Sequence, residues 1–331
     1  MLTIILFLIY KYRAISRLYI NPIALLLTIT AIFFFKSNFS TLYVNEYLRY
    51  IFPFFFLMFS YALKNQSNSK LQVSLYRFFK AIIILNTLLV ILALLTGIQV
   101  LKTYNATRFG FNGIILSQGF LPYVYLTAMA YFLYFRDYLM IIILLIISAL
   151  SGVKAVYAGE ALFIFFLIIS QRNLKFSRKA LYILITFLLF GALLLIILSM
   201  PIFQDVINDD GWLTAIFSYR IENAFELLNL INGDNYNYII GATDLNVVRL
   251  ELQLIDIALF FGCLGVIIYA VFSVKFYQTH AISRISKVYF FSTLILSIFS
   301  GNLFYVPLSC ILFFLTTISL GKEFKNKEFS L

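Results

Sequence analysis

The sequence predicts an all-α fold: a polytopic transmembrane helical bundle of about ten or eleven helices. Residues 1–331 form a single integral membrane domain in this reading, with one large external loop at 201–250. Three observations carry the expectation. First, 63% of residues are hydrophobic and only 12% are charged, whereas soluble domains are about 45–50% apolar and about 25% charged. Second, apolar runs recur near 1–10, 20–35, 48–63, 79–97, 115–135, 138–153, 155–170, 180–200, 251–273, 286–300 and 303–320. Third, the basic residues fall mainly on alternate connections between those runs, as the positive-inside effect requires.

Taken in order, MLTIILFLIY at the start lacks a charged leader region and a small-residue cleavage site, so it reads as a short membrane segment. The pairs 138–153/155–170 and 286–300/303–320 are joined too closely for ordinary loops and must turn at Ser151-Gly152 and Ser300-Gly301-Asn302. Most Lys and Arg lie in the connections near 11–17, 64–80, 136, 172–179, 275–287 and 322–327, which places those and the C-terminus in the cytoplasm. Lys36, Arg49, Lys102, Arg108, Lys154, Arg220 and Arg249 then lie on the outer side, while every acid except Asp137, Glu323 and Glu328 is external or close to it. The net charge of +11 is thereby explained by orientation, not by nucleic acid.

Several classes are excluded or weakened. GxxxxGK[ST] and GxGxxG are absent, and the cytoplasmic loops are too short for a nucleotide-binding domain. Cys263 and Cys310 sit in apolar runs, so neither a disulfide framework nor a metal centre is expected. With only five prolines and no matched pair of interrupted segments, the helices should be continuous, unlike those of many transporters. His280 is expected at the surface of a cytoplasmic loop.

Four stretches carry chemistry. In KTYNATRFGFNGIILSQ (102–118), Arg108 lies in an outer loop, where it meets either lipid phosphate or an anion at a cavity mouth. In SALSGVKAVYAGEA (148–161), Lys154 opens a helix with Tyr157 one turn on. Glu160 follows within an apolar run, where a charge costs about 2.5–3.5 kcal/mol. From Leu213 the polar and apolar residues alternate at helical spacing, predicting an interfacial helix with Glu222 and Glu226 on one face, Arg220 opposite, and an end at Asn232-Gly233-Asp234. In DLNVVRLELQLIDIALFFGCLG (244–265), Arg249, Gln253 and Asp256 form one stripe of a re-entering helix, with Glu251 at the same depth.

The outer TRFGF loop, Ser151-Gly152-x-Lys154-Ala155, the large loop with Arg220, and Ile239-Ile240-Gly241 belong to one pattern. It continues with Arg249-x-Glu251, Asp256 and Phe261-Gly262-x-x-Gly265. Over roughly residues 100–270 the pattern resembles the Wzy-type polymerases of O-antigen and capsular repeat units and, more distantly, the O-antigen ligases. The resemblance implies a GT-C-like, metal-independent glycosyltransferase of the bacterial inner membrane without cofactors. Its substrate would be undecaprenyl-diphosphate-linked oligosaccharide, with membrane lipid, a chain-length regulator and a flippase as partners. Arg220, Arg249, Glu222 and Glu251 would be catalytic, the arginines meeting diphosphate and a carboxylate accepting the hydroxyl proton. Arg108, Lys154, Tyr157, Trp212, Gln253 and Asp256 would bind the diphosphate and sugar. Tyr236 and Tyr238 could also stack on sugars. The ligases use a histidine in an external loop, which this chain lacks. A ligase and a lipid-linked oligosaccharide flippase remain the alternatives.

Overall fold

A computed structural model of the chain describes residues 23–32, 47–56, 68–104, 109–115, 117–231, 236–242 and 250–321. Helices dominate them. They are α1 (Ile23–Ile32), α2 (47–56), α3 (Asn68–Thr96), α4 (Leu121–Tyr134), α5 (Tyr138–Ser151), α6 (Lys154–Ile169) and α7 (Phe176–Leu198). Then come α8 (Pro201–Asp210), α9 (Trp212–Phe217) and α10 (Arg220–Ile231). The hairpin β1 (Tyr236–Asn237) and β2 (Gly241–Ala242) precedes α11 (Gln253–His280), α12 (Arg284–Ser300) and α13 (Pro307–Leu320). The segment at 1–10 lies outside the described residues.

Among the described residues three helices, in α3, α7 and α11, are long and apolar enough to cross a membrane. The 14-residue helices α4, α5 and α13 extend about 21 Å at 1.5 Å per residue, less than the roughly 30 Å hydrocarbon core. Leu184, Leu188, Leu189, Leu195 and Ile196 are all exposed on α7. A continuous apolar surface of this kind suits lipid and not water.

The chain folds as two compact units. The described residues within Lys64–Leu193, Phe276–Thr293 and Leu312–Leu331 form one of them. Its core is α4, which starts with Pro122 in its first turn and buries Leu121, Tyr123, Tyr125, Tyr131 and Phe132. Proline suits that position because its missing N–H has no intrahelical acceptor there. Helices α3, α5 and α6 pack around α4. The α5–α6 turn comes where expected, with Gly152 in the left-handed region at φ 68°. Asp137 begins α5, its Oδ1 accepting from the Met140 N–H at 3.4 Å.

The described residues within Met1–Leu63, Leu194–Lys275 and Leu294–Ile311 form the other unit. Here two expectations are corrected. The periodicity from Leu213 predicts one interfacial helix, but Ser218 and Tyr219 take left-handed φ values of 54° and 63° and divide it into α9 and α10. The cause is a local knot. Ser218 N–H closes on Thr214 O at 2.7 Å, the Tyr219 hydroxyl donates to Asp210 Oδ2 at 2.6 Å, and Thr214 Oγ1 donates to Glu222. Secondly, α11 is not continuous. Gly262 has φ 64° and ψ −166°, so the helix breaks there without a proline.

Candidate functional site

In the second unit, Arg220 opens α10 and its guanidinium turns away from that helix. Nη2 donates to Glu251 Oε2 at 2.5 Å and Nη1 to Phe299 O at 3.0 Å. Phe299 belongs to the last turn of α12, whose carbonyls have no intrahelical donor, so the arginine caps that terminus. Glu251 is expected within the re-entering helix, but α11 begins two residues later, at Gln253. Glu251 itself takes φ 57°. Gly301, at φ 63°, lies directly against it; a Cβ there would sit 2.1 Å from the Glu251 carbonyl carbon and oxygen. The Ser300-Gly301-Asn302 turn therefore does more than reverse the chain. Its glycine admits the Glu251 backbone, which brings the carboxylate to Arg220.

The expected stripe is changed correspondingly. Gln253 and Asp256 are buried, at 1% and 0% exposure. The Gln253 Oε1 accepts from the Phe304 N–H at 3.1 Å and the Asp256 Oδ1 from the Leu250 N–H at 3.0 Å. Both side chains brace turns through these oxygens, because backbone amides near a helix start need acceptors once removed from water. Arg249 lies outside the described residues.

The two carboxylates expected as bases differ in their surroundings. Glu222 Oε1 accepts from Thr214, and Glu222 also lies in the first turn of α10, where a negative charge is favoured by the helix dipole. The Glu251 side chain is 46% exposed beside Arg220, which is 27% exposed. Trp212 is exposed at the start of α9. Sequence reading did not single out Arg49 for the site. Its Nη1 donates to the Tyr305 hydroxyl at 2.5 Å, and its guanidinium lies 4.8 Å from that ring's centre, on the turn after Gly301. An arginine in an apolar helix was the available signal; its partner 256 residues away was not.

The first unit holds a separate cluster. It joins two of the four sequence stretches, 102–118 and 148–161. Thr103 Oγ1 reaches Ser151 O and Asn112 Oδ1, both at 2.6 Å, and Phe111 N–H donates to Leu150 O at 2.9 Å. Gly110 and Gly152 allow this clasp: a Cβ would lie 2.4 Å from Ser151 O at the former and 2.3 Å from Phe109 O at the latter. The clasp sets the α5–α6 turn from which Lys154 opens α6. Tyr157 accepts from Gly152 N–H at 3.1 Å and donates to Ala149 O at 2.8 Å, so its hydroxyl also braces the turn. Glu160 is buried and bonded to Ser148. Arg108, in the same loop, lies outside the described residues.

His280 corrects a further expectation. It ends α11 and is buried, its ring 4.7 Å from that of Phe276. Among the described residues no group of three His, Cys, Asp or Glu side chains could hold a metal ion. No protein-family model matches the chain, and no curated protein or solved structure is similar to it.

Proposed function

We propose that this chain is a repeat-unit polymerase of O-antigen or capsule assembly, a GT-C-like multi-pass protein of the bacterial cytoplasmic membrane. In this reading the C-terminus is cytoplasmic, α8–α10 lie outside, and the donor is a glycan on undecaprenyl diphosphate. The observation that supports it most is the Arg220–Glu251 pair, a cation and a half-exposed carboxylate where a polar segment meets apolar helices.

The chemistry asks for both groups. An acceptor hydroxyl attacks the anomeric carbon of the donor glycan, the carbon–oxygen bond to diphosphate breaks, and its electron pair leaves with the diphosphate. Arginine suits that departing group because its planar fork binds phosphate oxygens bidentately. The hydroxyl proton passes to a carboxylate, a contribution typically of about 10²–10⁴-fold. Diphosphate arriving at Arg220 competes with Glu251 for the guanidinium. Its arrival therefore frees the carboxylate that accepts the proton. Glu222 is engaged by Thr214 and not by Arg220. Lys154 and the loop bearing Arg108 offer a second place for anionic substrate groups in this reading.

The test is a polysaccharide gel on a deletion strain complemented with variants. The expected result is single repeat units at the surface of the deletion strain, and the same pattern with Arg220→Ala or Glu251→Ala. Unattached long polymer in the deletion strain identifies a ligase instead, and absence of repeats from the surface a flippase. A normal ladder with Arg220→Ala removes that residue from the chemistry.

A further inference from the structure

The break in α11 leaves backbone groups without helical partners, and the β1–β2 hairpin supplies them. Cys263 N–H donates to Tyr238 O at 2.9 Å and Leu264 N–H to Ile239 O at 3.1 Å. On the other side of Gly262, Ala258 O accepts from the Tyr236 hydroxyl at 2.9 Å. The two backbones touch through glycines. A Cβ on Gly262 would lie 2.3 Å from Ile239 O, and one on Gly241 2.6 Å from Phe260 O. Asn237 holds the hairpin tip, its Oδ1 accepting from the Ile239 and Ile240 N–H groups at 2.9 and 3.2 Å. The hairpin is thus seated in the break.

That break is deep. Gly262 is six residues, or about 9 Å at the α-helical rise, beyond Asp256, and no charge follows Asp256 until Lys275. The surface beside it is apolar and uncovered. Cys263, Ile267, Ala270, Val271 and Val274 recur at helical spacing along one face of α11, and all are exposed. Tyr238 and Ile239, whose carbonyls meet the start of that face, are 61% and 67% exposed. Non-helical backbone at membrane depth persists only where protein buries it or it lines a water-filled cavity. Here the backbones of the hairpin and the break close on each other at Gly241 and Gly262, and only the Tyr238 and Ile239 side chains turn outward.

We propose that residues 236–242 are a re-entrant hairpin whose Tyr238–Ile239 tip lies among the acyl chains of the bilayer, continuous with the lipid-facing stripe of α11. Part of the 201–250 stretch then returns into the membrane. The inference rests on α11 spanning the bilayer, not on the polymerase reading, and stands or falls without it.

Cys263 provides a test that needs no substitution, since the other cysteine, Cys310, is buried. In intact phosphatidylcholine proteoliposomes, a lipophilic maleimide should label Cys263 and a charged, membrane-impermeant one should not. For the tip, nitroxide is attached to Tyr238→Cys and Ile239→Cys in a Cys263→Ala background, with Asp209→Cys as the water-exposed reference. Power saturation should show greater relaxation by oxygen than by a nickel chelate at both tip sites, and the reverse at residue 209. Labelling of Cys263 by the charged reagent, or chelate-dominated relaxation at the tip, overturns the proposal.

Discussion

Ser148 carries one hydroxyl proton, and two acceptors lie within reach of its Oγ: Leu144 O at 2.8 Å and the Glu160 carboxyl. Both bonds coexist when Glu160 is a carboxylic acid that donates to Ser148, which then donates onward to Leu144. Glu160→Gln, which keeps a donor, should therefore retain the folded protein and its activity. Glu160→Ala should lower thermal stability by about 1–3 kcal/mol by leaving Ser148 without that partner; equal losses in the two variants would refute the protonated form. Burial pushes the Asp137 carboxyl up, but hydrogen bonds from Lys80 Nζ at 2.8 Å and the Tyr76 hydroxyl at 2.6 Å outweigh this and hold it below its ordinary value. A carboxyl lowered by folding stabilises above its unfolded pKa, and that contribution is lost as pH falls through the folded value. Melting of the detergent-solubilised protein should show an acid limb that becomes shallower in Asp137→Asn.

At the scale of elements, glycines decide which segments meet. Gly262→Ala should destabilise by about 1–3 kcal/mol, because its left-handed φ is strained for alanine and its methyl would enter the Ile239 carbonyl. Gly97 also has a positive φ, of 70°, but open space at its Cβ, so Gly97→Ala carries the conformational strain without a clash. Comparing the two melting shifts separates backbone strain from lost docking; equal shifts would mean the hairpin seat contributes nothing. The α5–α6 turn and the turn after α12 were legible in sequence as Gly152 and Gly301 between apolar runs. The partners of those glycines, Phe109 and Glu251, were not, because a turn residue reports its own dihedral angles and not the chain that approaches it.

For the whole molecule, the orientation inferred from Lys and Arg is open to a direct check. A periplasm-active reporter inserted near Asp209 should be active, and one inserted near Arg172 inactive; the reverse pattern would invert the assignment of α8–α10 to the outer side. If that orientation holds, the Arg220–Glu251 pair lies on the outer side, which the proposed polymerase reading requires.

Composition and periodicity alone determined that the described chain is helical and membrane-like, and where most helices lie. Both properties follow from local apolar content and 3.6-residue spacing. The same spacing misplaced Glu251 within a helix and merged α9 with α10, since Thr214, Glu222 and Asp210 reshape the chain there through contacts that periodicity does not encode. Only the tertiary structure decided that Arg220 belongs with Glu251, that Gln253 and Asp256 accept from backbone amides, and that a hairpin enters the break in α11. The Arg220–Glu251, Gln253–Phe304 and hairpin–α11 contacts unite residues 20 or more positions apart, and they satisfy polar groups whose partners local spacing does not specify.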